Sequence, residues 1–371
     1  MSALPEQKFN DDILWTERDR DLAAKRFPAL LHVLDFPELR EIFLKYDIPA
    51  TNAKKHRRNA GFTAIAFGVV ALLGAAATAL PQVESAMWVR LFEGICAFVG
   101  VLSVLVGAFG TLSGQAKQRW LRNRLMSERL RQFHFQSFIC RLPEILASMG
   151  DEATRKIFLD ERRSWLAGFQ MEYEGHLPAQ LIAALEDDVD KDFLLHHDLK
   201  RWKPPAGADA NLELVFSAYR VLRFEHQIQY ADYKLRKDES IFSSSSLRQL
   251  GVLRDVAIAF ISIVFLAHLA IAVSVAGWGG FAKPKNQYIH FGIICVVIGI
   301  LAVRTLEEGL QPAREVERYS RYHSSLTSLL DRFDNAADPE EKLRIMLEVE
   351  RASYQEMRGF LETNYEARYV L

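Results

Sequence analysis

The sequence predicts an all-α integral membrane protein: four transmembrane helices in two parallel-repeat hairpins, a cytosolic helical domain, and both termini in the cytosol. Three observations carry this expectation. The apolar residues, 50% of a 371-residue chain, concentrate in four long runs. Basic residues precede the first and third runs and follow the second and fourth. What remains is densely charged, helix-forming sequence with no period-2 stretch bounded by turns. The averages alone, 25% charged residues and a net charge of −1, would suit a soluble two-domain enzyme. The uneven distribution of apolar residues excludes that class. A disulfide scaffold is excluded as well, because Cys96 and Cys295 lie inside apolar runs and Cys140 stands alone. No apolar stretch follows the opening MSALPEQKFNDDILWTERDRD, so no signal peptide is expected.

Residues 1–53 read as an N-terminal cytosolic helical segment and 54–114 as the first hairpin. Its first span, Gly61 to Leu80, is uncharged; its second, Leu91 to Leu112, carries Glu93 near its start. A cytosolic helical domain follows over 115–253, then the second hairpin over 254–309. There the third span, Val256 to Trp278, contains His268, and the fourth, Tyr288 to Val303, is uncharged. At ~1.5 Å per residue, about 20 apolar residues cross the ~30 Å hydrocarbon core. The first three runs meet that length. The fourth reaches it through Thr305 and Leu306, with Arg304 snorkelling. Residues 310–371 form C-terminal cytosolic helices, opened by Asp338-Pro339-Glu340-Glu341.

Loop charge sets the orientation. Lys54, Lys55, Arg57 and Arg58 precede the first span, and a basic segment follows the second. Arg248 and Arg254 precede the third, while Arg304, Arg314, Arg318 and Arg321 follow the fourth. The two short outer loops, near Pro81 and Gly279, hold only Arg90, Lys283 and Lys285. So little faces outward that a receptor for external ligands is not expected. The hairpins also resemble each other. Cys96-Ala-Phe-Val-Gly100-Val-Leu-Ser103 aligns with Cys295-Val-Val-Ile-Gly299-Ile-Leu-Ala302, Ala64-Ile-Ala-Phe67 with Ala257-Ile-Ala-Phe260, and Arg119-Trp-Leu-Arg122 with Arg318-Tyr-Ser-Arg321. Both copies start in the cytosol, so the repeat is parallel. The inverted symmetry and interrupted spans of many transporters are absent.

In the cytosolic part, Gln115 to about Met149 reads as a basic amphipathic helix with Trp120, Leu125, Phe133 and Phe138 on its apolar face. Two shorter helices are expected over Asp151 to Glu174 and Pro178 to about Leu199. Lys203-Pro-Pro-Ala-Gly207 is a break, and a long helix runs from Asn211 to about Phe242.

A helix ending in Gln227-x-x-Tyr230-x-x-x-Lys234, two spans, a charged helix, and a last helix with Glu350 and Glu356 resembles the SLATT group. These are two-transmembrane effectors associated with nucleotide-signalling domains in bacterial conflict systems, and the doubled arrangement is similar to the four-transmembrane effectors of that class. The likeness covers Asn211 to Leu371, and the first half through the repeat. It implies a multi-pass effector of antiphage defence in the bacterial inner membrane, forming a pore when a nucleotide-type signal changes.

Motifs for catalysis are missing: no Gly-rich phosphate loop, GxSxG, HExxH or CxxC is present, so no enzyme, cofactor or metal is expected. His196-His197 beside Asp198 reads as a solvated helix end, and Glu186 to Asp192 as an exposed acidic face lacking the glycine of a calcium loop.

Three features remain as candidate sites. Cys96, Gly100, Ser103, Gly107, Gly110 and Gly114 recur every three or four residues, with Glu93 one step outward and Gly292, Cys295 and Gly299 as a shorter echo. Such a stripe either packs helices closely or lines a narrow pore with Glu93 ringing its mouth. His268, ionisable and inside a span, is either satisfied by a neighbouring helix or functional. Lys117, Arg119, Trp120, Arg122, Arg124, Arg129 and Arg131 either meet anionic lipid, pair with acidic helices, or bind a nucleotide or oligonucleotide by phosphate contact and stacking. Arg155, Arg162, Arg163, Arg220 and Arg223 could complete that last site. The expected partners are further copies of the chain, the nucleotide signal, membrane lipids and a possible direct partner protein. A scaffold that recruits a cytosolic partner is the competing expectation, and a small-solute transporter the third.

Overall fold

The computed structural model describes residues 5–78, 87–110, 114–186, 193–196, 209–236, 245–275 and 286–367. Among them no strand occurs and helices dominate. A 3₁₀ turn over Pro5–Ile13 precedes α1 (Glu17–Arg26) and α2 (Leu31–Leu34). Then come α3 (Pro37–Thr78), α4 (Met87–Gly110), α5 (Gly114–Cys140), α6 (Leu142–Ser148), α7 (Glu152–Glu174) and α8 (Leu177–Glu186). The second half holds α9 (Ala210–Tyr219), a π segment (Arg220–Glu225), α10 (His226–Leu235), α11 (Ser246–Val275), α12 (Asn286–Leu310), α13 (Pro312–Asn335) and α14 (Pro339–Glu366).

Local chemistry explains the ends. Thr16 and Asp19 form a reciprocal capping box on α1, and Asp151 and Asp209 cap the first turns of α7 and α9. The helix expected over Gln115 to Met149 breaks at Arg141, because Pro143 brings no N–H to the first turn of α6. Gln311 takes a left-handed φ of 46° and ends α12, after which Pro312 opens α13. The helix expected from Pro178 stops at Glu186, and Phe193 to His196 is not helical. The long helix from Asn211 is interrupted by the π segment and ends at Leu235, with Arg236 extended. The Lys203 break, Asp187 to Asp192, His197, Asp198, and the outer turns with Pro81, Gly279, Lys283 and Lys285 lie outside the described residues.

The chain divides into two compact units. One, charged, gathers Met1–Thr51, Arg119–Arg236 and Val316–Asn364; the other, apolar, gathers Asn52–Gln118, Lys237–Glu315 and Tyr365–Leu371. The charged unit has an aromatic-rich core in which Phe135, Phe138, Phe216, Tyr219 and Phe224 are at most 1% exposed. Its central helix is α5. From Leu125 to Gln136 every side chain except Glu128 is buried, so α5 is surrounded on all sides rather than amphipathic. Among the described residues, three helices that run in the apolar unit are long and apolar enough to cross a membrane: α3, from its second half on, α11 and α12. A shorter apolar stretch, Leu91–Gly107, lies in α4.

Candidate functional site

The small-residue stripe of α4 packs against α3 of the same chain. A side chain on Gly74 would collide with Cys96 Sγ, and one on Gly100 would meet the Ala71 Cβ at 3.3 Å. The Ser103 hydroxyl donates to the Ala64 carbonyl at 2.7 Å, and Gly107 faces Ala64 across 3.8 Å. Small residues here let two backbones approach and a hydroxyl bridge them, the usual contact where burial from water offers little drive. Gly110 and Gly114 sit at the ends of α4 and α5. In the second hairpin Gly299 receives the Phe260 ring, with Cys295 half-buried a turn earlier, while Gly292 faces open space. The counterpart of Ala71 in the sequence alignment is Val264, so Gly299 meets α11 four residues away from that register.

Two polar side chains stand on the uncovered surface of the apolar unit. Glu93 is exposed on α4, among exposed Leu91, Phe92 and Ile95. His268 is exposed in the C-terminal third of α11, and its Nδ1 donates to the Val264 carbonyl at 2.8 Å, one turn back on its own helix.

The candidate residues at the start of α5 fare differently from one another. Arg119 is exposed and Arg122 half-buried. Lys117 donates to the carbonyls of Tyr365 and Ala367, and Arg57 also donates to Ala367, so two cations close the C-terminal end of α14. Trp120 is buried edge-on against Phe360. Arg124, Arg129 and Arg131 serve the interior. Arg129 lies between the rings of Tyr173 and Tyr354 and donates to Tyr173, Gln132 and the Phe193 carbonyl. Arg131 pairs with Asp12 at 2.9 Å and with both Glu128 oxygens at 3.0 Å, and donates to Asn10 at 2.7 Å. Arg124 pairs with Glu128 and, at 3.4 Å, with Asp47. Burial pushes the Asp47 carboxyl up in spite of both arginines. Asp11 completes the group: burial raises its carboxyl, but the 2.7 Å bond and electrostatic pull of His226, its own backbone amide and Arg131 together outweigh this and hold it low.

A second buried polar seam involves Gln227, Tyr230, Lys234, Glu350 and Glu356. Arg223, 2% exposed at its side chain, forks onto Glu350 at 2.8 and 3.0 Å, and Tyr219 donates to the same carboxylate at 2.8 Å. The π segment widens the turn so that Tyr219 and Arg223 point at one partner. Further along, Tyr322 donates to Gln227 at 3.3 Å and meets Ser353 at 2.9 Å. Tyr230 stands 3.3 Å from the Tyr319 hydroxyl, Lys234 is buried beside Tyr230 and Tyr233, and Arg318 pairs with Glu356 at 3.2 Å. Glu128 pairs at helical spacing with Arg124 and Arg131, whereas Asp12 and Asp47, which sequence reasoning missed, carry no local motif and lie 119 and 84 residues from Arg131 in the chain.

His196 is buried, not solvated: its ring stacks on Phe133 and its Nε2 meets the Phe133 carbonyl at 3.0 Å. Among the described residues no cluster suits a metal ion. No family model, curated protein or solved structure matches the chain.

Proposed function

We propose that the chain is an oligomeric, ion-conducting membrane effector of bacterial antiphage defence, in which the charged unit senses a nucleotide-type signal and the apolar helices conduct. The observation that carries the conducting part is the position of Glu93 and His268. Both stand on surfaces of apolar helices that the chain itself does not cover. Facing lipid, such groups are costly; facing other copies of the chain around a water-filled path, they are solvated. Four crossings are part of the proposal, because the charged unit is closed from three chain segments. An even number of crossings must separate each segment from the next, so α4 has to cross wherever α3 does. The defence role rests on the likeness to SLATT-type effectors.

Packing of the α4 stripe within its own hairpin favours a second reading, a membrane-anchored scaffold whose charged unit recruits a partner. Reconstitution decides between them. Purified chain in vesicles should dissipate an imposed potential, and Glu93→Gln should shift the cation preference of the current. Correctly inserted protein that conducts nothing would leave the scaffold.

A further inference from the structure

The charged unit contains two arginines and a histidine with one carboxylate at their edge, and that carboxylate is shared with a third arginine. His32 lies on α2, Ser148 ends α6, and Arg155 and Arg162 stand two turns apart on one face of α7. Phe158, between the two arginines, lies 6.1 Å from the His32 ring. Arg162 is 6% exposed; it donates to the carbonyls of His32, Val33 and Asp35 at 2.8 to 3.3 Å and lies 3.9 Å over the Phe36 ring. Those contacts fix the guanidinium but supply no negative charge. The nearest carboxylate, Glu38, stands 4.0 Å away and is bonded at 2.6 Å to Arg163, while Asp35 is paired at 2.7 Å with Arg40. Arg155 has no ion pair among the described residues, and the Nε atoms of both Arg155 and Arg162 are buried with no hydrogen-bond partner.

The histidine reports the same field. Its Nε2 meets Ser148 Oγ at 2.8 Å, and that hydroxyl donates to the Ile145 carbonyl, so the imidazole is the donor. Burial, then Arg155 and Arg162, push His32 down to about 4. Two positive charges that share part of one carboxylate are under-matched, which is unfavourable where they are buried, and the half-exposed positions of His32 and Arg155 leave a path from water. Of the second set of arginines the sequence offers, the other three are matched: Arg163 by Glu38 and Asp160, Arg220 by Asp334 and Glu225, Arg223 by Glu350.

We propose that His32, Arg155 and Arg162 form an anion site in the charged unit that takes a phosphate group, either of a soluble phosphate compound or of a lipid headgroup. This gives the sensed signal a location and rests on the proposed function only for its consequence, since binding is measured by itself. The full chain in neutral detergent is titrated with inorganic pyrophosphate, followed by calorimetry and by the ¹³C-labelled imidazole resonances, with His32 assigned through His32→Gln. Saturable binding should raise the His32 titration midpoint, and Arg155→Gln should weaken binding about tenfold or more while the melting temperature holds. Arg162→Gln is avoided because it also removes the carbonyl bonds on α2. In vesicles, an upward His32 shift with phosphatidylglycerol alone identifies a headgroup, and one that needs pyrophosphate identifies a soluble ligand. No shift in either setting, or equal binding by Arg155→Gln, overturns the site. Binding that leaves vesicle ion flux unchanged would count against the proposed gating instead, and leave the site standing.

Discussion

Glu350 and Arg223 are charges that water cannot reach, and each is kept in the core by the other. Glu350 is fully buried, and Arg223 has the Phe135 ring 4.8 Å from its guanidinium carbon. Glu350→Ala would strand that cation among aromatic rings and should cost about 3–5 kcal/mol. Replacing both, as Glu350→Leu with Arg223→Met, should recover most of the loss, because a well-packed apolar pair removes two desolvation costs together. Urea unfolding in detergent, followed by circular dichroism, checks both; a single variant as stable as the parent would contradict the buried pair. His134 sets a pH dependence at the same scale. Burial, then Arg162 and Arg223, push it from 6.5 down to about 3, and its Nε2 has no hydrogen-bond partner. The folded chain therefore binds fewer protons than the unfolded one below pH 6.5. Stability from this residue is full above that pH and falls as the pH drops towards 3. At pH 4.5 the loss from His134 should be about 2–3 kcal/mol. His134→Leu should remove that part, leaving a smaller acid sensitivity of the same sign from His32. Equal acid unfolding curves for parent and variant would refute it.

Between elements, what decides packing in the apolar unit is the space beside each glycine. Gly74 has none: an added Cβ would collide with Cys96 Sγ, so even Gly74→Ala forces α3 and α4 apart and should cost about 1–3 kcal/mol. Cys96→Ala in the same chain should recover part of this. Gly292→Ala, with open space around it, should be neutral or slightly stabilising. Melting in detergent gives the order, and a destabilised Gly292→Ala with a neutral Gly74→Ala would reverse the assignment. The stripe on α4 was legible because small residues at helical spacing stand out in an apolar run. Gly74 and Ala71 were not, since α3 is rich in alanine throughout and periodicity cannot say which small residue faces a partner. Helix α5 misled for a related reason. On an amphipathic helix the sequence leaves these arginines to lipid, acidic helices or a phosphate ligand, and Arg129 and Arg131 are buried because tyrosines, Glu128 and the distant Asp12 surround them. The π segment left no signal at all: residues Arg220–Glu225 have ordinary helix-forming composition, and only tertiary pairing with Glu350 and Asp334 selects the wider turn.

For the whole molecule, connectivity constrains topology more tightly than hydropathy does. Three helices have the length and apolarity to cross a bilayer, and three crossings would put the termini on opposite sides. The proposed four crossings avoid this. Arg131 pairs with Asp12, and Arg223 with Glu350, which supports the proposal that Met1–Thr51, Arg119–Arg236 and Val316–Asn364 fold in one compartment. On that proposal α11 and α12 are one returning pair and α4 is the return of α3, although the apolar stretch Leu91–Gly107 would span only about 25 Å at ~1.5 Å per residue. A stretch that short is accommodated by local thinning or by snorkelling of flanking residues. Single cysteines in a background lacking Cys96, Cys140 and Cys295 test the consequence. Asp21→Cys and Asp331→Cys, both at exposed positions of the charged unit, should resist a membrane-impermeant maleimide in intact spheroplasts and react after lysis. Lys283→Cys, between the third and fourth apolar runs, should react before lysis. If the two charged-unit positions label on opposite sides, the unit cannot close as described and α4 does not cross. If all three are protected until lysis, the chain does not span the membrane, and the conducting role of Glu93 and His268 falls with it.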